Sequence, residues 1–381
     1  MFKIEKRLNR ARLGRLSLPS GEVMTPVFMP VATGGTVKTL TQRELDEIGV
    51  QMIVCNTYHL YLRPGVEVIK EGGGLNKFIG FTKPILTDSG GFQITSLAEL
   101  VKITEEGVYF QSHIDGSKHF LTPEKVAQIQ KDLLSDIGMC LDCCLGFPLE
   151  YKKAREAMVL TTQWARRTLS ALHQSPSGQR FFAIVQGGTY LDLRRESAVA
   201  LIDLDFPGYA IGGLFCGEPS SVSYEIINLL DEILPGERPR YAMGAGYPED
   251  IIECVRAGVD IFDCVLPTRN GRTGTAFTSQ GRVLIRNAQY AKDFSPLEEG
   301  CECYTCTHFS RAYLRHLFLS EEILGQRLLT YHNLFFYMRL MRLIREAILE
   351  ERLDTFAQEF LAGYSRQDTE YRRQDAGYRI Q

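Results

Sequence analysis

Three cysteines lie within six positions of the sequence, in the motif Cys301-x-Cys303-x-x-Cys306. Cysteines at this spacing are typical of zinc sites, and structural zinc sites are tetrahedral, with four ligands drawn from Cys and His. Three free thiols in a reactive loop are the alternative reading. We predict a zinc site, which requires one further ligand.

The fourth ligand should be a histidine, and three histidines follow the cysteines. His308 stands only two residues after the last cysteine and would require a strained chelate. His316 has apolar neighbours in a predicted helix, which favours a core or surface role. His332, at a predicted helix start, is our choice. A Cys₃His site has no open position for water, so we expect one structural Zn²⁺ per subunit and chemistry elsewhere.

A second group of residues could do chemistry, because polar or bare-backbone residues follow several short apolar runs. Carboxylates, an amide and exposed backbone on one surface would suit a polar, planar ligand. For any one residue, the simpler explanation is that a strand end comes to the surface there. The combination favours a site, and its members are Asn56, Asp88, Asp142, Gln186, Gly212, Gly213, Gly244 and Asp263.

These residues must be positioned by the apolar runs that precede them. Near-continuous apolar runs of this length indicate strands buried on both faces, and helical patterns separate them. The runs cover residues 27–33, 51–58, 84–91, 136–144, 181–188, 209–214, 240–246 and 259–265. We therefore predict an α/β fold, an eight-stranded parallel (βα) barrel of the TIM type, with a doubly wound open sheet as the alternative. The active site of such a barrel lies at the carboxyl ends of its strands.

Local signals divide the chain further. Thr122-Pro123 should begin a helix, and Gly258 should follow the end of another. Residues 100–120 alternate like a hairpin, which indicates an insertion between the third and fourth strands. We expect the barrel in residues 1–266, a zinc-binding subdomain with closing helices in 267–345, and a C-terminal helix and tail in 346–381.

The composition is that of a soluble globular protein, with 44% hydrophobic and 23% charged residues and a net charge of −3. Residues 264–320 hold seven Lys/Arg against four Asp/Glu, which permits a local nucleic-acid surface. The charged N-terminus has no apolar stretch of a secretory signal, and no segment approaches the roughly 20 apolar residues of a membrane span. Together with the scattered cysteines, this predicts a cytoplasmic protein.

Several motifs carry a resemblance to a known family. "TDSGGFQ", "SHIDGSKHFLTPE", "YAIGGL", "MGAG", "FDCVLPTRNGRTG" and "CECYTC" followed by "HN" occur in order between about Thr25 and Arg345. Together they resemble tRNA-guanine transglycosylase, also called queuine tRNA-ribosyltransferase. The resemblance implies a zinc-bearing (βα)₈ barrel. It also implies exchange of the wobble guanine of tRNAs with GUN anticodons (Asp, Asn, His and Tyr) for a deazaguanine base. In the bacterial type that base is 7-aminomethyl-7-deazaguanine (preQ1), used in queuosine biosynthesis.

The resemblance also implies roles for individual residues. Asp263 matches the nucleophile that forms a covalent tRNA intermediate, and Asp88 matches the general acid/base. Residues matching the base pocket are Asp142 and Gln186 at the base edge, Gly213 and Leu214 through their backbone, Phe92 and Met243 as the stacking pair, and Glu218 in the pocket loop. Arg269 and Arg272 match residues that contact the anticodon. The zinc ligands match Cys301, Cys303, Cys306 and His332.

Some pocket residues depart from the bacterial pattern. Cys143 stands where Glu is usual, and Phe92 stands where Tyr is common. Phe215 and Cys216 replace Ala-Val in the loop that borders the substituent of the base. The incoming base is therefore either preQ1, which we favour, or queuine.

Two other functions are compatible with the sequence. A non-catalytic, tRNA-binding partner subunit of the same fold would be marked by loss of either catalytic aspartate, and both are present. An unrelated barrel hydrolase or lyase would explain the polar rim but not "PTRNGRTG". The resemblance further implies a homodimer that binds the tRNA anticodon stem-loop, with the zinc region as the contact.

Overall fold

The computed structural model describes residues 2–174 and 178–364. Its strands are β1 (Phe2–Leu8), β2 (Ala11–Leu18), β3 (Gly21–Thr25), β4 (Val27–Pro30), β5 (Ile53–Cys55), β6 (Ile85–Thr87), β7 (Glu99–Ile103), β8 (Val108–Gln111), β9 (Lys118–Leu121), β10 (Ile137–Met139), β11 (Arg180–Val185), β12 (Tyr209–Ile211), β13 (Arg240–Ala242), β14 (Ile261–Cys264), β15 (Thr275–Thr278) and β16 (Gly281–Leu284).

The helices alternate with the strands through most of the chain. They are α1 (Gln42–Glu47), α2 (Thr57–Leu62), α3 (Val66–Glu71), α4 (Leu75–Ile79), α5 (Gly91–Leu97), α6 (Pro123–Leu133), α7 (Tyr151–Gln174), α8 (Leu191–Ile202), α9 (Ser220–Ile233), α10 (Pro248–Arg256), α11 (Leu266–Thr273), α12 (Tyr304–His308), α13 (Arg311–Leu319), α14 (Ile323–Leu349) and α15 (Leu353–Tyr364), with a short 3₁₀ helix at Ala288–Lys292.

Eight parallel strands form the predicted barrel. Their order is β4-β14-β13-β12-β11-β10-β6-β5, and a parallel bridge between Val31 and Val54 joins the two ends of the sheet. Seven of the eight strands lie within one of the eight apolar runs, and β11 begins one residue before its run. Strands of a barrel covered by helices are buried on both faces and are therefore mostly apolar. The predicted barrel is confirmed.

Strands β1 to β3 form an antiparallel sheet that the sequence analysis did not predict. Leu16 and Val23 of this sheet pack into the same cluster as the residues that fill the barrel interior, such as Met29, Met139 and Ile184. The sheet is fixed to the barrel by a buried ion pair, in which Arg12 bonds the Asp260 carboxylate just before β14. The sheet therefore covers the lower opening of the barrel, where the strands begin.

The insertion between the third and fourth barrel strands contains three antiparallel strands, β7 to β9, instead of a two-stranded hairpin. The two turns predicted there are present, one ending at Gly107 and the other at Gly116. Because each turn reverses the chain, two turns produce three strands.

The predicted helix signals are also present. The Thr122 side chain accepts a hydrogen bond from the Lys125 amide at the start of α6, with Pro123 in the first turn. Gly258 follows α10 with φ of 92°. The 27-residue α14 packs against α11, β4 and β15, and so joins the C-terminal region to the barrel. Among the described helices, none is long and apolar enough to cross a membrane.

Candidate active site

Asp263 lies near the carboxyl end of β14, with its side chain at the rim. Its Oδ1 accepts hydrogen bonds from the Tyr241 hydroxyl at 2.6 Å and the Gly244 amide at 2.9 Å. Burial raises the pKa of Asp263, and these two hydrogen bonds oppose the shift. Both donors reach Oδ1, so Oδ2 has no hydrogen bond to the described residues and can meet an electrophile.

Asp88 follows β6 on the same rim, and both of its carboxylate oxygens accept hydrogen bonds. Its Oδ1 accepts from the backbone amides of Thr57 at 2.9 Å and Gly90 at 3.2 Å, and the Asn56 amide donates to Oδ2. Burial raises the pKa of Asp88 to about 6, the negative charge of Asp263 adds to the shift, and the hydrogen bonds oppose it. A carboxyl group with a pKa near 6 can both give and take a proton close to neutral pH.

Asp142 and Gln186 form a polar pair at the ends of β10 and β11. The Gln186 amide donates to one Asp142 oxygen, and the Ser89 hydroxyl donates to the other, both at 2.8 Å. Burial raises the pKa of Asp142. The two side chains are thus held together with donor and acceptor groups in one place, as an amide-bearing heterocycle would need.

Gly213 lies beside this pair, in the left-handed conformation with φ of 68°. A Cβ atom on Gly213 would stand only 2.7 Å from the Gln186 Oε1, so a larger residue would displace the amide. Leu214, next in the chain, is buried. Backbone groups at these two positions can therefore come close to a ligand held by the pair.

Two apolar side chains predicted to stack on the base differ in their surroundings. Phe92, in the first turn of α5, is 48% exposed, so its ring is accessible to a ligand. Met243 is partly buried and packs against the barrel interior. The structure places both residues after rim strands, at opposite sides of the sheet order.

Glu218 stabilises the loop that follows β12 through hydrogen bonds within that loop. Its carboxylate accepts from the amides of Phe215 and Cys216 and from the Ser223 hydroxyl, the last at 2.5 Å. Phe215 has φ of 57°, a conformation that side chains adopt rarely and that these bonds help to hold. Glu218 thus shapes the loop. Cys143 packs in the buried cluster outside the barrel.

Arg269 and Arg272 lie on α11, directly after the strand that carries Asp263. Arg269 is exposed, whereas Arg272 is half-buried and its Nη1 is buried without a partner among the described residues. Burial lowers the pKa of Lys38, and the positive charges of Arg272 and Arg269 add to this shift. These three cations could together bind an anion at the rim.

Cys301, Cys303, Cys306 and His332 come together in the C-terminal region, with all four side chains buried and their ligand atoms within 4.8 Å of one another. The His332 Nδ1 lies 3.3–3.9 Å from the three sulfur atoms. A tetrahedral zinc site with Zn–S near 2.3 Å and Zn–N near 2.0 Å has ligand separations of about 3.5–3.8 Å. The group could therefore hold a metal ion.

The tautomer of His332 suits a metal. Its Nε2 lies 2.8 Å from the Phe277 carbonyl oxygen and must donate there, which leaves the Nδ1 lone pair facing the sulfur atoms. His308 and His316, the other two candidates, are exposed and outside the cluster.

Comparisons with known proteins decide the family. The family model described as "Queuine tRNA-ribosyltransferase" matches residues 7–366. The chain belongs to this family. A relative of that name from Caldanaerobacter subterraneus subsp. tengcongensis is 58% identical over 355 residues, covering 93% of this chain and 94% of the relative. A second, from Thermoanaerobacter pseudethanolicus, is 56% identical over 364 residues and covers 96% of both chains. A third, from Dictyoglomus turgidum, is 53% identical over 370 residues, with 97% and 95% covered.

Membership confirms the resemblance drawn from the motifs. It also confirms the enzyme class, a pentosyltransferase of the queuine tRNA-ribosyltransferase family that performs base exchange on tRNA guanine.

Sequence reasoning missed several residues of this family member's rim. Tyr241 lies inside a strand. The only signal for its place in the site is that it stands two residues before Met243 and so faces the same side of the strand. Ser89 stood within the motif "TDSGGFQ" but had no assigned role. Lys38 lies in a loop where nothing local marks a cation as part of a site.

Proposed function

We propose that this protein exchanges the guanine at the wobble position of tRNAs with GUN anticodons for preQ1, through a covalent tRNA–Asp263 intermediate. The observation that supports this most directly is the difference between two rim carboxylates. Asp263 has one oxygen without a hydrogen bond to the described residues, whereas Asp88 has both oxygens bound and a pKa of about 6. One suits a nucleophile and the other a proton carrier.

The proposed reaction has two displacement steps. The Asp263 Oδ2 attacks the ribose C1′ while the bond from C1′ to guanine N9 breaks, and the leaving guanine takes a proton delivered by Asp88. After guanine departs, the incoming base gives its N9 proton to Asp88, and N9 attacks C1′ and releases Asp263. Atoms and charges balance over the cycle, and both carboxyl groups return to their starting states.

Recognition of the base follows from the polar pair. The target base must leave the anticodon stack and enter the pocket, where its edge and its faces need partners. Asp142 accepts and Gln186 donates or accepts at the edge, and Gly213 contributes its backbone. Phe92 and Met243 cover the faces. The hydrogen bond from the Gln186 side-chain amide to Asp142 satisfies both groups, and hydrogen bonds to the base would replace it.

The proposed incoming base is preQ1 because of the loop that Glu218 shapes. Phe215 and Cys216 are partly buried there, and the Cys216 thiol contacts the Leu214 carbonyl at 3.3 Å. The Phe215 side chain is much larger than the Ala expected there from the bacterial pattern, which supports the smaller of the two bases.

A chase experiment tests the identity of the base. A GUN-anticodon tRNA carrying labelled guanine is incubated with the protein and with preQ1, queuine or neither. We expect label release with preQ1 alone. Label release with queuine alone would mean that queuine, and not preQ1, is the incoming base. No release under any of the three conditions would reject base exchange in favour of a tRNA-binding subunit.

The covalent intermediate is tested by substitution. Asp263→Asn should bind tRNA normally but form no adduct on a denaturing gel, because an amide oxygen is a poor nucleophile. Asp354→Asn, at an exposed aspartate paired with Arg256, is the matched control and should form the adduct in normal yield. Normal adduct formation by the Asp263 variant would exclude this nucleophile.

The remaining parts of the proposal concern partners. The tRNA anticodon stem-loop would lie across Arg269, Arg272 and Lys38. Their positive charges would attract the phosphates, and the two guanidinium groups could bond the edges of bases. Zn²⁺ would be held by Cys301, Cys303, Cys306 and His332 and would act only on structure, since four protein ligands close the site.

We also propose a homodimer in contact through the zinc region. Exposed apolar and aromatic side chains support it there: Tyr304, Tyr313, Leu319, Ile323 and Leu324. Light scattering coupled to gel filtration should give twice the chain mass, and a monomer at micromolar concentration would contradict this part.

A further inference from the structure

Arg194 is a fully buried cation on α8, with 0% of its surface exposed. Its Nε donates to the Gly188 carbonyl, and its Nη1 donates to the carbonyls of both Val185 and Gly212, each at 2.8 Å. Burial lowers the pKa of Arg194 to about 10, so the side chain is still charged at neutral pH. A charge buried this deeply is costly, and here its hydrogen bonds go to backbone carbonyl oxygens at the ends of two strands.

These carbonyls belong to the strands that carry the base-reading residues. Val185 ends β11 and is followed by Gln186, and Gly212 follows β12 and precedes Gly213. The Gly212 amide also donates to the Val185 carbonyl at 3.1 Å, so Arg194 binds a point where the two strand ends are already joined.

The geometry of a peptide unit links this contact to the pocket. In a trans peptide the C=O and the N–H point in opposite directions. The Gly212 carbonyl and the Gly213 N–H share one such unit, so the bond from Arg194 to the carbonyl sets the direction of the N–H. Once that carbonyl is held toward α8, the Gly213 N–H faces away from the helix.

The helix α8 holds the neighbouring peptide in the same way. The backbone N–H of Gln186 donates to the hydroxyl of Ser197 at 3.2 Å, and Ser197 lies one helical turn after Arg194. A Cβ on Gly213 would approach both the Gln186 Oε1, at 2.7 Å, and the Arg194 Nη2, at 3.7 Å. Gln186, Gly213 and Arg194 therefore meet at one point beneath the pocket.

We propose that Arg194 is a positioning residue for base recognition, which aims the Gly213 N–H at the base and fixes the backbone of Gln186. This inference rests on the proposed function, in which these two residues read the base edge. The guanidinium suits the role because its fixed, planar donors bind several carbonyls at once, whereas lysine offers one compact ammonium group.

Steady-state exchange of labelled guanine into tRNA tests this, with the two substrates varied separately. The variants are Arg194→Lys and Arg194→Met, and the matched controls are Arg195→Lys and Arg195→Met at the exposed neighbouring position. We expect the KM for guanine to rise about tenfold in the Arg194 variants, as for loss of one well-aligned buried hydrogen bond. The KM for tRNA and the control variants should stay close to the wild-type values.

A purely structural role would have a different signature. Unchanged kinetics in a folded Arg194→Lys protein, or an equal rise in both KM values, would overturn the proposal. If Arg194→Met does not fold, the lysine variant, which keeps the charge, decides alone. A wild-type protein that incorporates no guanine would instead reject the proposed function, so the two failures are distinguishable.

Discussion

At the scale of single residues, the proposed reaction gives two different functions to one side-chain type. Asp88 and Asp263 are both aspartates on the rim of the same barrel, yet their donors are arranged differently. Three donors bind Asp88 across both oxygens, whereas two donors bind Asp263 on one oxygen. Burial raises both pKa values, and the charge of Asp263 contributes to the shift at Asp88. The environment, not the residue type, separates their roles.

The raised pKa of Asp88 predicts a pH-dependent effect on stability. The pKa is 3.8 ordinarily and about 6 in the folded protein, so the folded state binds the proton more tightly than the unfolded state. Wild-type stability should therefore decrease as pH rises from about 4 to 6, and Asp88→Asn should escape this loss. Urea unfolding at several pH values should show the variant gaining up to about 3 kcal/mol on the wild type between pH 4 and 7. A difference independent of pH would mean that Asp88 titrates at its ordinary pKa.

At the scale of elements, α11 carries the cations of the rim, and its position depends on a close approach to α14. A Cβ atom on Gly271 would lie 2.7 Å from the backbone N and Cα of Thr330. Backbone atoms of a long buried helix cannot move aside as a flexible side chain can. Asn333 reinforces the contact, because its amide donates to the carbonyls of Pro267 and Thr275.

Gly271→Ala should therefore separate α11 from α14 and move Arg269 and Arg272 from their places. We expect a loss of about 1–3 kcal/mol in stability, as for overpacking of a core contact, together with weaker tRNA binding. Gly178→Ala is the control, since a Cβ there has no atom within 4 Å. Thermal unfolding and a tRNA gel shift measure the two effects. Equal stability of the two variants would contradict this account of the helix contact.

The elements also show where reading a sequence succeeds. All eight barrel strands were predictable because each coincides with a near-continuous apolar run, as expected for a strand buried on both faces. The sheet β1 to β3 was not, because its strands interleave charged residues such as Arg7 and Arg15 with the apolar ones, and they resemble a solvated N-terminus. The third strand of the insertion was missed although both of its turns were recognised.

The candidate site residues that could be predicted from the sequence are those that lie in local motifs. Asp88, Asp263 and the cysteines that could bind a metal lie in short, distinctive stretches of sequence. Tyr241 and Arg194 contribute through partners distant in the sequence, Asp263 in one case and two strand ends in the other. Such partnerships depend on the fold, so no local pattern records them.

At the scale of the whole molecule, the Cys₃His cluster joins the C-terminal region to the barrel. The three cysteines lie around the short helix α12, and His332 lies on α14. Asn333, the residue after His332, forms hydrogen bonds with α11 and β15. A metal held there would fix α14 against the elements that carry the cationic rim. The cluster can therefore affect tRNA binding without touching the reacting atoms.

Cys303→Ser and His332→Ala should each lose the metal, and unfolding should occur at lower denaturant concentration because ligand binding contributes folding free energy. His316→Ala, at an exposed histidine of α13, should keep about one zinc per chain. Metal analysis of the purified proteins, followed by urea unfolding, distinguishes these outcomes. Full zinc content in either ligand variant would remove that residue from the site.

In the part of the chain that the structure describes, the sheet β1 to β3 covers the lower opening of the barrel, so small molecules should enter and leave through the opposite opening, at the rim. In the proposed reaction, guanine would leave through this opening before the incoming base enters, while the tRNA stays bound to Asp263. Turnover should then follow a strict alternation: free guanine should compete with the incoming base for the empty pocket, and more tRNA should not relieve that competition.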